Sequence, residues 1–174
     1  MTRKIILNLA MSIDGYIAEE DGSFDWICGD GYSTLDTKNK WDYEKFLKNV
    51  DIVVMGKKCY DQKFHEDFKD NIVYEATSGE TEDYDNIHFI KDNIVDLVLE
   101  EQKKEGKDIF LFGGGKLLDS FIKADIIDEY IIGIIPTILG KGRPLFLNNN
   151  PKIDLHMQEY YIDNGIAILK YIKR

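Results

Sequence analysis

Several features that define other protein classes are scarce or missing in this chain of 174 residues. Its two cysteines, Cys28 and Cys59, are too few for a disulfide framework or a cysteine-based metal site. Its three histidines, His65, His88 and His156, have no partner at metal-ligand spacing, so no metal is expected. No G-x-S-x-G motif occurs, and hydrolase chemistry therefore has no support.

Basic residues are outnumbered by acidic ones, and long apolar runs are lacking. The chain has 22 Lys and Arg against 32 Asp and Glu, a formal net charge of −10, which argues against a nucleic-acid or acidic-membrane partner. No apolar run is long enough to cross a bilayer or to form a secretory leader. We therefore expect one globular domain over residues 1–174, located in the cytoplasm.

The most informative stretch is glycine-rich. Residues 109–112 form a short apolar run typical of a buried strand, and Gly113, Gly114 and Gly115 follow at once. Apolar residues then recur at helical spacing up to residue 122. A strand, a glycine turn and a helix start suit a phosphate, because the backbone is accessible and helical N–H groups are free. The alternative is a tight turn without a ligand, since neither the dinucleotide fingerprint nor the Walker motif is complete.

A second junction of the same kind follows a second apolar run, residues 51–55. Gly56 is followed by Lys57 and Lys58 at the predicted start of a short helix. Cations there oppose the helix dipole, a mild cost that makes sense if an anion lies nearby. Two solvated lysines are the alternative.

Three further side chains have both a structural and a functional interpretation. Asp14 precedes Gly15 and is favoured as a turn former whose carboxylate accepts backbone N–H groups. Trp26 lies in a long polar loop, residues 19–39, and either covers the edge of the core or forms a wall of a substrate pocket. Asp42 lies in the first turn of a predicted helix, residues 41–50, where the dipole favours a carboxylate.

The remaining pattern predicts the fold class. Residues 4–11 read as a central strand buried on both faces, and residues 16–18 as extended. Further strands are predicted at residues 71–76, 87–90, 125–135, 153–157 and 166–172, with a tight turn at Asp163-Asn164-Gly165. Helices alternate with strands before a final hairpin. This predicts an α/β sandwich with a mixed sheet and a C-terminal antiparallel hairpin.

Taken together, the motifs resemble the dihydrofolate reductase superfamily. They are more similar to its branch containing the C-terminal reductase domain of the bacterial riboflavin-biosynthesis deaminase-reductase. The motifs lie in the family's order and cover nearly the whole chain: residues 12–18 (SIDGYIA), 54–60 (VMGKKCY), 112–118 (FGGGKLL), 127–129 (IDE) and 136–142 (PTILGKG), with Leu145 and Phe146.

The resemblance implies a three-layer sandwich, a homodimer, and an oxidoreductase that uses NADPH to reduce a small heterocycle, pterin-like or pyrimidine-like. It implies Asp42 as the proton donor, and Asp14, Trp26 and Gly133 as substrate-binding residues. The cofactor would meet Ala10 and Ile17 at its nicotinamide, Thr77 and Ser78 near its 2′-phosphate, and Gly56, Lys57, Lys58, Cys59, Phe112, Gly113, Gly114, Gly115, Lys116 and Leu117 at its phosphates.

Three positions depart from the family pattern. Lys57 and Cys59 stand where Arg and Thr are usual, which removes a bidentate fork and a hydroxyl donor. Glu75 and the acidic loop after Ser78 would repel a 2′-phosphate. The alternatives to a reductase are a non-catalytic protein of this fold that binds a nucleotide or flavin, and a structural domain without a ligand.

Overall fold

The computed structural model describes residues 2–174, and most of the residues in regular secondary structure belong to one large sheet. The strands are Ile5–Ser12 (β1), Tyr16–Ala18 (β2), Val50–Gly56 (β3), Ile72–Ala76 (β4), Ile87–Ile90 (β5), Asp108–Phe112 (β6), Glu129–Ile135 (β7), Arg143–Pro144 (β8), Leu155–Asp163 (β9) and Ile166–Lys173 (β10). The α-helices are Tyr43–Lys48 (α1), Lys57–Asp61 (α2), Ile94–Gln102 (α3) and Gly115–Lys123 (α4), and Phe64–Phe68 forms a 3-10 helix.

Eight strands form the main sheet, in the order β5-β4-β3-β6-β1-β7-β10-β9. The strands from β5 to β7 are all parallel, whereas β10 runs antiparallel to both β7 and β9. β2 and β8 form a separate antiparallel pair. Because the parallel strands share a direction, their carboxyl ends meet at one edge of the sheet. The glycine junctions at Gly56 and at residues 113–115 follow β3 and β6 at this edge, and the turn at Asp14 and Gly15 follows β1 there.

The sheet is covered on both faces, which explains why its central strands are almost continuously apolar. One face packs against α3 and α4, where Val98, Leu118 and Phe121 are buried. The other face packs against α1 and the 3-10 helix through Phe46 and Phe68. The fold is therefore the three-layer α/β sandwich with a mixed sheet that the sequence predicted, and the C-terminal hairpin is confirmed as β9–β10.

Three predicted elements have the wrong bounds. The strand predicted over residues 153–157 spans Leu155–Asp163 instead, because it pairs with β10 over that length. The helix predicted over residues 41–50 is limited to α1, because the chain pairs as a strand from Val50, opposite Asp108. The strand predicted from residue 125 begins at Glu129. Asp125 has a left-handed φ of 54° just after α4, and the Asp128 carboxylate accepts the backbone N–H of Ile5 at 2.8 Å before β7 starts.

The amino edge of the parallel strands is held by a buried cation. The Arg3 side chain is 3% exposed, pairs with the Asp51 carboxylate, and donates a hydrogen bond to the Lys107 carbonyl at 2.5 Å. The buried guanidinium of Arg3 needs these partners, since a buried charge without a partner costs several kcal/mol. Within residues 2–174, no helix combines the length and apolar character needed to span a bilayer.

Candidate active site

The two glycine junctions of the sequence face each other at the carboxyl edge. A Cβ added to Gly113 would lie 3.5 Å from Cys59 Sγ, and one added to Gly56 would lie 3.9 Å from Leu117 Cβ. β3 and β6 are neighbours in the sheet, so the turns that follow them are adjacent. The structure thus brings together Gly56, Cys59, Gly113 and Leu117, and their role in binding a cofactor stays a prediction.

Both helices that leave these junctions begin at a glycine. The N-cap residue is Gly56 for α2 and Gly114 for α4, and glycine has no side chain to accept the first N–H groups. Helix starts leave several backbone N–H groups without an intrahelical partner. In α4, a helix of nine residues, these donors lie beside the exposed Lys116. They are suited to the oxygens of a phosphate, which favours a negatively charged ligand here.

The middle glycine of the triplet is required by packing. A Cβ on Gly114 would lie 2.7 Å from Ile17 Cδ1 in β2 and 3.5 Å from Leu145 Cδ1. Its neighbours are constrained by the backbone instead, since Gly113 has φ +143° and Gly115 has φ +60°. The motif of residues 112–118 therefore contacts the motif of residues 12–18 and Leu145 at this point.

The small residues Ala10 and Gly133 lie side by side on β1 and β7. They are register partners, and a Cβ on Gly133 would lie 3.7 Å from Ala10 Cβ. Alternation along β1 places Asn8 on the same face as Ala10. Asn8 is 8% exposed, and its Nδ2 has no hydrogen-bond partner among residues 2–174. This donor was missed, although Asn8 is the one polar residue in an apolar run.

Asp14 acts as the turn former that the sequence favoured. Its carboxylate accepts hydrogen bonds from Ser12 Oγ at 2.6 Å, Leu139 N at 3.0 Å and Gly140 N at 2.8 Å. The Ser12 hydroxyl, followed by these backbone donors, lowers the pKa of Asp14 to about 2. Asp14 thereby fixes the loop after β7 to the end of β1, and a direct contact with substrate stays a prediction.

The long loop that carries Trp26 is fastened at its far end to the β9–β10 turn. Thr37 Oγ1 accepts the N–H of Ile162 at 3.0 Å, and the Asp30 N–H donates to the Asn164 carbonyl at 2.9 Å. Trp26 itself is half-buried, and its Nε1 has no hydrogen-bond partner in the described chain. The geometry is compatible with both interpretations of Trp26, so its place in a substrate wall stays a prediction.

The predicted phosphate-binding side chains are partly engaged elsewhere. Lys57 Nζ contacts both Asp61 carboxylate oxygens at 2.9 Å, whereas Lys58 is exposed. Burial raises the pKa of the Cys59 thiol to about 11, so it packs as a neutral group. Thr77 and Ser78 follow β4, one strand further from α4. Backbone donors therefore contribute more to an anion site than these side chains do.

Asp42, the predicted proton donor, is the N-cap of α1. Its Oδ1 accepts the Lys45 N–H at 2.8 Å, and the residue is exposed. This position matches the structural interpretation, in which the carboxylate stabilises the helix start. Its catalytic role stays a prediction.

Glu75 is a buried carboxyl group near the end of β4. It is 1% exposed, and its Oε1 has no hydrogen-bond partner among residues 2–174. Burial raises its pKa to about 7, while Lys57 lowers the value and Asp61 raises it. The sequence placed a negative charge here but could not show that the group is desolvated.

Within residues 2–174, no group of three or more His, Cys, Asp or Glu side chains could hold a metal.

Over residues 3–70 and 34–164, the sequence matches the family of the RibD C-terminal domain. The chain belongs to this family. The resemblance inferred from the motifs is thereby confirmed.

Individual proteins and solved structures are also similar to this chain. The chain is 35% identical to the uncharacterized protein YwjB of Bacillus subtilis (strain 168), covering 89% of this chain and 90% of YwjB. A crystal structure from Shewanella sp. PV-4, named for a proposed role in riboflavin biosynthesis, has TM-score 0.81 and 25% identity over 100% and 99% of the two chains. Dihydrofolate reductase from Enterococcus faecalis, complexed with NADP(H), has TM-score 0.67 and 13% identity over 100% and 99%.

The packing at Gly114 gives the first prediction. Gly114→Ala should lower the free energy of unfolding by about 0.5–1.5 kcal/mol, because the terminal methyl group of Ile17 must turn away from the new methyl group. Urea denaturation measures this. Gly79→Ala is the matched control, since its Cβ would have only an ordinary 3.8 Å contact with Thr77 Oγ1. Equal stability of the two variants would contradict the proposed packing.

The raised pKa of Glu75 gives the second prediction. The folded chain keeps a proton that the unfolded chain loses above pH 4.5, so stability falls as pH rises to about 7. Glu75→Gln should remove this fall and increase the free energy of unfolding by about 2–3 kcal/mol at pH 8, with little effect near pH 4.5. Thermal and urea unfolding at both pH values measure it. The exposed Glu80, changed to Gln, is the control, and a pH-independent effect of Glu75→Gln would contradict the prediction.

Proposed function

We propose that this chain is an NAD(P)H-dependent reductase of a small heterocyclic substrate, pterin-like or pyrimidine-like. The observation that carries the proposal is the pair of facing glycine junctions at the carboxyl edge, with the open helix start of α4 beside them. Membership in the RibD C-terminal domain family supports a reductase. When bound, the cofactor supplies the hydride, and the chain's own residues bind and orient the reactants.

The order of the strands matches the parts of a dinucleotide. β4, β3, β6 and β1 are neighbours, so with about 4.8 Å between strands their ends span about 14 Å. Phosphate oxygens would accept the N–H groups after β3 and β6, in the middle of this span. One nucleoside would then extend over β4 and the other over β1. In this arrangement a ring on the β1 side would lie near the small residues Ala10 and Gly133, which are register partners.

NADPH is the cofactor that we propose, as the resemblance implies. The dihydrofolate reductase of the same fold was solved with NADP(H), which supports a nicotinamide dinucleotide in this cleft. In this arrangement Ala10 and Ile17 contact the nicotinamide end. The buried amide of Asn8, which needs an acceptor, faces the same side of the sheet as the proposed substrate.

We also propose a cytoplasmic homodimer formed through the C-terminal hairpin. β9 is an edge strand whose central residues are exposed, including Met157 at 49% and Tyr160 at 60%. β10 remains half-buried along its whole length although it is not an edge strand. A second copy placed on this face would cover the apolar side chains that the first copy leaves exposed. A monomer in sedimentation experiments would contradict the dimer.

The third prediction tests the cofactor. Titration of the purified chain with NADPH and with NADH, followed by nicotinamide fluorescence, should give saturable binding because the helix starts provide donors for the phosphates. Gly115→Val should weaken binding at least tenfold, because φ +60° is costly for a β-branched residue. Gly31→Val is the control, since Gly31 also has a positive φ of +78° and open space around it but lies outside the junctions. Absence of binding at millimolar cofactor would overturn the reductase proposal.

One observation favours a second candidate function. The Asp42 carboxylate already caps α1, so a chain that binds a nucleotide or flavin without catalysing a reaction is consistent with this site. Saturable cofactor binding without consumption of NAD(P)H by any pterin or pyrimidine substrate would support this candidate over the reductase.

The fourth prediction concerns the proton donor. If Asp42 passes a proton to the substrate, Asp42→Asn should lower kcat by at least a hundredfold and remove the alkaline limb of the pH–rate profile, since a proton donor is lost as pH rises. The amide can still accept the Lys45 N–H, so the helix cap is retained. The unfolding free energy should therefore change by less than about 1 kcal/mol. An unchanged profile would exclude Asp42 as the donor.

A further inference from the structure

Glu75 lies close to the position proposed above for the adenosine half of a dinucleotide, at the end of β4. In the parallel register it is opposite Met55 on β3, and Ala76 is opposite Gly56, the N-cap of α2. Glu75 is therefore one residue from the level of the β3 glycine junction. It is also two residues before Thr77, where the chain leaves the sheet at the carboxyl edge.

Two lysines around this end of the sheet are already paired with carboxylates. Lys57 is paired with Asp61 at 2.9 Å, within its own helix. Across the loop after β4, Lys91 is paired with Glu80 at 2.9 Å, whereas Lys58 is exposed to solvent. Glu75 has no partner for its Oε1 in the described chain. An ionised Glu75 would therefore add a buried negative charge that neither ion pair offsets.

We propose that Glu75 sets the preference of this site between NADH and NADPH: the ionised carboxylate repels the 2′-phosphate of NADPH, and the neutral acid tolerates it. The inference rests on the proposed function, because it needs a nicotinamide dinucleotide in the cleft. NADH has hydroxyl groups at the same ribose and lacks the added charge. Its affinity should therefore depend much less on the state of Glu75.

The position of the ribose follows from the proposed cofactor orientation, in which the nicotinamide lies on the β1 side at Ala10 and Ile17. With the pyrophosphate held between the junctions after β3 and β6, the adenosine ribose is the next group toward β4. A phosphate monoester carries a charge of about −1.5 to −2 at pH 7, and in a partly buried site this charge is poorly screened. Repulsion from one carboxylate then changes affinity by about tenfold or more.

The pKa of Glu75, raised to about 7 by burial, places this change of state in an accessible pH range. Below pH 7 the group is mainly neutral, and above it the group is mainly charged. Other charged or titratable groups on the elements packed around Glu75 are Lys57, Lys58, Tyr60 and Asp61 of α2, His65 of the 3-10 helix, and His88 of β5 with its partner Asp83.

The experiment compares dissociation constants for NADPH and NADH at pH 6 and pH 8.5, in the wild type and in Glu75→Gln. In the wild type, the ratio Kd(NADPH)/Kd(NADH) should rise about tenfold or more with pH. In Glu75→Gln the rise should shrink to that caused by titration of the phosphate itself, whose second pKa is about 6. Glu75→Gln retains both histidines and all the lysines. Glu44→Gln, which removes an exposed carboxyl on α1, should behave as the wild type does.

Each outcome decides a separate point. A ratio that stays constant with pH in the wild type overturns the inference, whatever the variant does. An equal rise in the wild type and in a folded Glu75→Gln also overturns it, because the charge then comes from another group. Thermal unfolding confirms that the variant is folded. Failure of both cofactors to bind the wild type overturns the proposed function and the inference with it, whereas binding of both with no effect of Glu75→Gln overturns the inference alone.

Discussion

Parallel pairing of β4, β3, β6 and β1 is the constraint on which the rest of the site depends. Because these strands run in one direction, every turn that leaves them lies at the same edge. Residues far apart in the chain, such as Ile17, Cys59 and Gly114, are thereby brought together. The helices on both faces protect the strands from water, and the edge is left as the place where backbone donors are accessible.

The site is defined by small residues and backbone groups more than by charged side chains. In a chain with a net charge of −10, acidic residues outnumber cations, and Lys57 and Lys91 near the cleft are paired with carboxylates. Recognition of an anion then relies on N–H groups at helix starts, which carry no net charge and do not titrate. Glu75 is the exception, a group at this edge whose charge can change near neutral pH.

Local patterns predicted the strands and the glycine junctions, because an apolar run followed by Gly113 or Gly56 is a signal within a few residues. Contacts between distant segments could not be predicted in the same way. Thr37 binds the backbone at Ile162, and burial of Glu75 depends on neighbouring strands and helices. The length of α1 was also missed, since the strand pairing that begins at Val50 is a tertiary effect. Asp42 shows that one residue can fit a structural and a catalytic role equally well in sequence.

The position of β1 has a consequence for how the chain folds during synthesis. β1 leaves the ribosome before the other strands of this sheet, yet its neighbours are β6, which pairs with it from Ile109, and β7, which pairs from Glu129. Until those segments are made, an apolar strand with two open edges has no native partner. Folding of the central sheet is therefore completed late, and a chain released before β7 would expose a surface prone to aggregation.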